Sequence, residues 1–132
     1  MSPLFGNKAE KAAEEAAASA ECDRLLALPR PQLAVEVMNA FGPNGDRAAQ
    51  SGNGANLLQL MMWLMSSQPR GTGYLVKLEM PVREAVQILE HANLVVNRLD
   101  RISGGHVVAT SLGLAALAEG SVAERIASPS NA

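Results

Sequence analysis

Apolar side chains recur at helical spacing along much of this chain. Leu33, Val37, Met38 and Phe41 predict an amphipathic helix over Pro31–Phe41. Leu57, Leu60, Met61, Leu64 and Met65 form a second stripe, which Leu58, Met62 and Trp63 extend around the cylinder. A helix so apolar is expected to be buried on several sides as the central core helix. From Pro81 the pattern resumes, with Val82, Ala85, Val86, Leu89 and Ala92 on one face and Arg83, Glu84, Gln87, Glu90 and His91 on the other. Leu114, Leu117 and Ala118 give the expected buried side of a last helix, capped by Thr110 or Ser111 and ended by Gly120. Ser121–Ile126 suits one more turn before a frayed tail.

The breaks between these stretches carry their own signals. Met1–Gly6 reads as a short tail, and "NKAE" at Asn7–Glu10 has capping-box spacing for an Ala/Glu/Lys-rich helix running to Leu28. The first half of that helix lacks a wide apolar stripe and is expected to be exposed. "GPNGD" ends the Pro31–Phe41 helix, and Ala48–Ala55 reads as a loop. Tyr74–Met80 fits either a short strand or one helical turn. Asn93 followed by Leu94 matches a helix C-terminus, with Asn left-handed and the next apolar residue packing back.

Beyond Asn93, "LVVNRLDRI" and "HVVAT" flank "SGG". Gly104-Gly105 suits a two-residue hairpin turn. Val96, Leu99 and Ile102 are also spaced by three, so a helix continuing to Ser103 is the rival. The β-branched density and the stop at Asn93 favour strands. No internal repeat of domain-building length is present.

Composition bounds the rest. A chain of 132 residues with 48% hydrophobic content can bury a core, so wholesale disorder is not expected. No apolar run reaches the ~20 residues that span a bilayer, and the N-terminus is not a convincing export signal. Cys22 is the only cysteine, which rules out an internal disulfide and favours a reducing, cytoplasmic setting. The net charge is −2, yet residues 69–110 hold five basic and four acidic side chains. Any cationic surface lies in that middle segment, and it is mild.

Catalytic chemistry finds little support. His91 and His106 lie outside metal or triad spacing, and His91 suits the negative end of a helix. Cys22 has no basic cluster to activate it. "SGNG" and "GTG" lack the strand–glycine–helix context and the lysine of a phosphate loop. The carboxylates of Glu14 and Glu15 read as a solvated helix face. Met61, Met62 and Met65 suit core filling better than an adaptable binding surface. No cofactor or metal is expected, and an enzyme is improbable.

The order helix, short element, helix, two strands around a glycine turn and helix resembles a winged helix-turn-helix domain over about residues 55–120. "PVREAVQILEHANLV" looks like the second helix of that motif, "RISGGHVVAT" like its wing, and "TSLGLAAL" is similar to the segment that often follows a wing. The resulting expectation is a mainly α fold with a small β-hairpin, a winged-helix-like domain preceded by an N-terminal helical extension. Residues 1–30 form the extension, 31–120 the domain and 121–132 a turn and tail. The resemblance implies double-stranded DNA as partner, with Arg83, Gln87 and His91 as contacts on the helix and Arg98, Arg101 and His106 on the wing. A homodimer is expected to strengthen the contact of one mildly charged protomer. Glu84 and Glu90 share the exposed helix face, which departs from a basic stripe, so the alternative is an adaptor that binds another protein. No membrane partner is expected.

Overall fold

A computed structural model describes residues 3–51, 53–100 and 104–128. The fold is mainly helical with a small antiparallel hairpin. Its helices are α1 (Pro3–Ala27), α2 (Arg30–Met38, with a 3-10 turn to Phe41), α3 (Arg47–Gln50), α4 (Leu57–Leu64), α5 (Leu75–His91), α6 (Ser111–Glu119) and α7 (Val122–Ala127). Strands β1 (Val95–Asp100) and β2 (Gly104–Ala109) separate α5 from α6.

The core lies where α2, α4 and α5 meet. Leu33, Val37, Met38, Leu60, Leu78, Val82 and Leu89 are buried there, and no charged or polar residue joins them among the described residues. On α1 it is Ala18, Cys22 and Leu25, three or four positions apart, that reach the core, while residues 8–13 are exposed as expected. Helix α1 begins at Pro3, so Pro3–Gly6 of the expected tail is helical, Met1 and Ser2 lie outside the described residues, and Asn7 lies inside the helix instead of capping it. Arg24 fastens α1 to α2 by bridging Glu21 at 2.8 Å and Glu36 at 2.9 Å. Its guanidinium pulls the Glu21 carboxyl below the ordinary range.

Helix α5 corrects the expected start at Pro81. Tyr74–Met80 is neither a strand nor an isolated turn: from Leu75 it forms the first part of α5, and Pro81 lies inside the helix. An interior proline removes one backbone bond at a cost of about 3 kcal/mol. Leu78, Val82, Ala85 and Leu89 form one unbroken buried stripe across it. Burying a side chain the size of Leu78 returns about 1.5–3 kcal/mol, so the stripe carries the helix through the proline.

The α5 terminus matches its signal. Asn93 has φ 63°. The Asn93 amide donates to the Glu90 carbonyl at 3.0 Å, and the Leu94 amide to the Leu89 carbonyl at 2.9 Å. Leu94 and Leu89 are both fully buried, which completes the pattern of a left-handed helix stop. The chain then enters β1, so the strands hold against the rival helix through Asp100.

In the hairpin, Val95 faces Ala109, Asn97 faces Val107 and Arg98 faces His106. Gly104 and Gly105 do not form the turn. They belong to β2, opposite Asp100 and Leu99, and residues 101–103 lie outside the described residues. Residues 129–132 of the expected tail do as well. The expected loop over Ala48–Ala55 is also corrected: α3 occupies its start, and Ala55 pairs with Val107 as a one-residue third strand. The Val107 amide donates to Ala55 at 2.7 Å, and the Ala55 amide returns the bond at 3.0 Å. Gly54 makes this approach possible. It has φ +80°, and a Cβ there would stand 2.4 Å from the Val107 carbonyl oxygen.

Two burial expectations shift. Leu58 and Met62 on α4 are about half exposed, so that helix is buried on one side only. On α6 it is Gly113 and Ala116 that are buried, with Leu117 half-buried and Leu114 and Ala118 exposed. Gly113 causes the rotation. A Cβ there would meet the Leu94 carbonyl oxygen at 2.0 Å, and this bare backbone lets α6 press against the end of α5.

Candidate functional site

Three elements converge beside α5. Asn56 starts α4 with a reciprocal cap: its Oδ1 accepts from the Gln59 amide, and Gln59 Oε1 accepts from the Asn56 amide, both at 2.8 Å. This fixes the first turn of α4 against the α5 face that carries Arg83 and Gln87. The helix stop at Asn93 folds β1 back along the same face. Between them lies a cleft of 510 Å³. Its floor is apolar, from Leu57, Val86 and Val107; its polar groups are Asn56, Arg83, Gln87, Glu90 and Asn97. A concave site with a few placed polar groups is the common form of a binding surface.

The structure sorts the residues expected from sequence into separate places. Arg83 and Gln87, one helical turn apart, line the cleft together. His91 lies a further turn along but lines a second groove of 500 Å³ with Arg30, Glu84, Ile88 and Ile126; Gln87 reaches both. Arg98 and His106 face each other across the ladder. Partners in a ladder share a face and neighbours alternate. The two therefore lie on the side of the hairpin opposite Asn97 and the buried Val107, away from the cleft. Arg101 lies outside the described residues.

The acidic residues are sorted too. Glu84 is drawn toward α2 by Arg30, whose Nε donates to it at 3.1 Å. Glu90 lines the cleft itself, as does Asn97. The cleft thus sets one cation, Arg83, against one anion.

Asn56 and Asn97 escaped sequence reading as site residues. "NLLQ" carried the cap signal for Asn56, three positions before Gln59. For Asn97 the signal was its place in alternation with Val95, readable only once the hairpin register is known.

A different feature covers the first half of α5. Val76 is 89% exposed and Met80 59%, and they continue the exposed ridge of Arg83 and Gln87 at spacings of three and four. Tyr74, just before α5, donates its hydroxyl to Glu15 Oε1 at 2.8 Å, and this bond raises the phenol above its ordinary value. Burial likewise pushes the Cys22 thiol up. Among the described residues, no group of three His, Cys, Asp or Glu is placed to hold a metal ion, and no helix is long and apolar enough to cross a membrane. Comparison with protein-family models, curated proteins and solved structures gives no match.

Proposed function

We propose that the chain is a winged-helix regulator that binds double-stranded DNA without catalysing a reaction. In this reading α4 and α5 are the helix-turn-helix pair, α5 is the reading helix, and β1–β2 is the wing. The carrying observation is the convergence of Arg83 and Gln87 on α5, the capped start of α4 and Asn97 of the hairpin on one cleft. The short strand at Ala55, paired to β2 just before α4, also supports the reading, because it ties the helix pair to the wing. Arg and Gln are side chains that pair with guanine and adenine edges. Action as a homodimer belongs to the same proposal, since one protomer carries a net charge of −2 and few phosphate contacts.

The test is binding to random duplex DNA across a salt series. Phosphate contacts make affinity fall steeply as salt rises. Absence of binding at low salt sinks the proposal. Sedimentation of the chain with and without duplex reads the oligomeric state in the same experiment.

One observation favours a second reading, a protein-interaction adaptor. Val76 and Met80 give half of the α5 ridge an apolar character that phosphates do not select. A partner protein whose capture depends on those two side chains, from a chain that ignores DNA, would establish it.

A further inference from the structure

We infer that Asn97 is a specificity-determining residue of this cleft, its carboxamide lying in the space that a side chain at Gly105 would take. The inference rests on the DNA reading and names one contact within it. Gly105 lies in β2 and is not among the described glycines with positive φ, so its backbone does not require glycine. Space does. A Cβ on Gly105 would stand 2.7 Å from Asn97 Oδ1 and 3.4 Å from Nδ2. The Asn97 carboxamide occupies the place of a Gly105 side chain, and both residues line the cleft.

The chemistry of the cleft suits base edges better than phosphates. Arg83 and Glu90 leave it with little net charge, and its remaining polar groups are carboxamides. Asn56 already commits its oxygen to the α4 cap. Asn97 and Gln87 can each offer a donor and an acceptor side by side, which matches N7 and the 6-amino group of adenine. Asn97 comes from the hairpin and Gln87 from α5, so the two approach the cleft from different walls. We assign to Asn97 one adenine contact at a fixed position in the bound site.

Sites selected from a random duplex pool by the full chain provide the probe. Affinities are then measured on the preferred duplex, on duplexes with each A·T pair replaced, and on an unrelated duplex. Asn97→Ala is expected to weaken the preferred site roughly tenfold, to remove discrimination at one A·T position and to leave the unrelated duplex unchanged. Asn97→Asp, which keeps the shape but only accepts, is expected to move the preference at that position toward cytosine. Gly105→Ala displaces only the end of a flexible side chain; it should repeat the loss of Asn97→Ala, and the double variant should be no weaker than either single one. Thermal unfolding of each variant separates these effects from misfolding, and the two Asn97 variants decide the matter if Gly105→Ala does not fold. Uniform weakening on all duplexes, no preferred site, or losses that add in the double variant overturn the assignment while the DNA reading stands. A wild-type chain that binds no duplex at low salt overturns both.

Discussion

Thr110 Oγ1 donates to the Asn93 carbonyl at 2.7 Å and accepts from the Gly113 amide at 2.9 Å. One hydroxyl therefore caps α6 and holds it to the left-handed stop of α5, while the Thr110 amide donates to the Leu94 carbonyl at 3.0 Å. These bonds set where the hairpin leaves α5, and so the shape of the cleft. Thr110→Ala should lower stability by about 1–2 kcal/mol through the lost cap. Gly113→Ala should cost more, about 3 kcal/mol, because its Cβ would collide with the Leu94 backbone and not with a movable side chain. Urea unfolding with an unchanged slope would read both. Equal losses in the two variants would contradict the close approach of α6.

Tyr74 is the only tyrosine, so its ionisation can be followed directly by ultraviolet absorbance. Its bond to Glu15 favours the neutral phenol in the folded chain. The folded value thus lies above the unfolded one. The stabilisation is fully present below the unfolded value near 10 and is lost as pH rises through the folded value. Glu15→Ala is expected to move the titration back down toward the ordinary tyrosine range. No movement would mean that the contact between α1 and the turn before α5 does not hold in solution.

The parts of the fold that sequence reading captured are those written in a few adjacent residues. Asn93-Leu94 marked the end of α5, Thr110 the start of α6 and Gly120 its end, because each requirement is satisfied within one helical turn. The misreadings have nonlocal causes. Pro81 reads locally as a helix start, but the buried stripe from Leu78 to Leu89 outweighs it. Gly104-Gly105 reads locally as a turn, yet both residues pair within β2, and the Asn97 side chain of the opposite strand fills the space beside Gly105. Ala55 has no strand signal of its own, since its partner Val107 is far along the chain. The site was legible to the same extent: helical spacing joined Arg83 to Gln87, whereas Asn97 and the outward placement of Arg98 and His106 depend on register.

The apolar ridge on α5 separates the two readings of function. Val76 and Met80 are largely exposed, so Val76→Ser with Met80→Ser should leave stability within about 0.5 kcal/mol of the parent. On the DNA reading, duplex affinity at moderate salt should change by less than about threefold, because neither side chain lines the cleft with Arg83 and Gln87. On the adaptor reading, the pair should abolish capture of the partner. Retained partner capture by the double variant would remove the ridge from consideration.

Glu90 supplies the sharpest electrostatic prediction. It lines the cleft together with Gln87 and Asn97, where an approaching duplex would bring phosphates of like charge. Two unit charges about 6–8 Å apart near a protein surface interact by up to ~2 kcal/mol at low salt, less where water intervenes. Glu90→Gln should therefore tighten duplex binding by roughly three- to tenfold at low salt. The gain should shrink as ionic strength shortens the screening length below that separation. Glu124→Gln makes the same change in net charge on α7, outside the cleft, and should give a smaller gain at every salt concentration. An equal effect of the two substitutions would mean that the duplex responds to overall charge and does not enter the cleft.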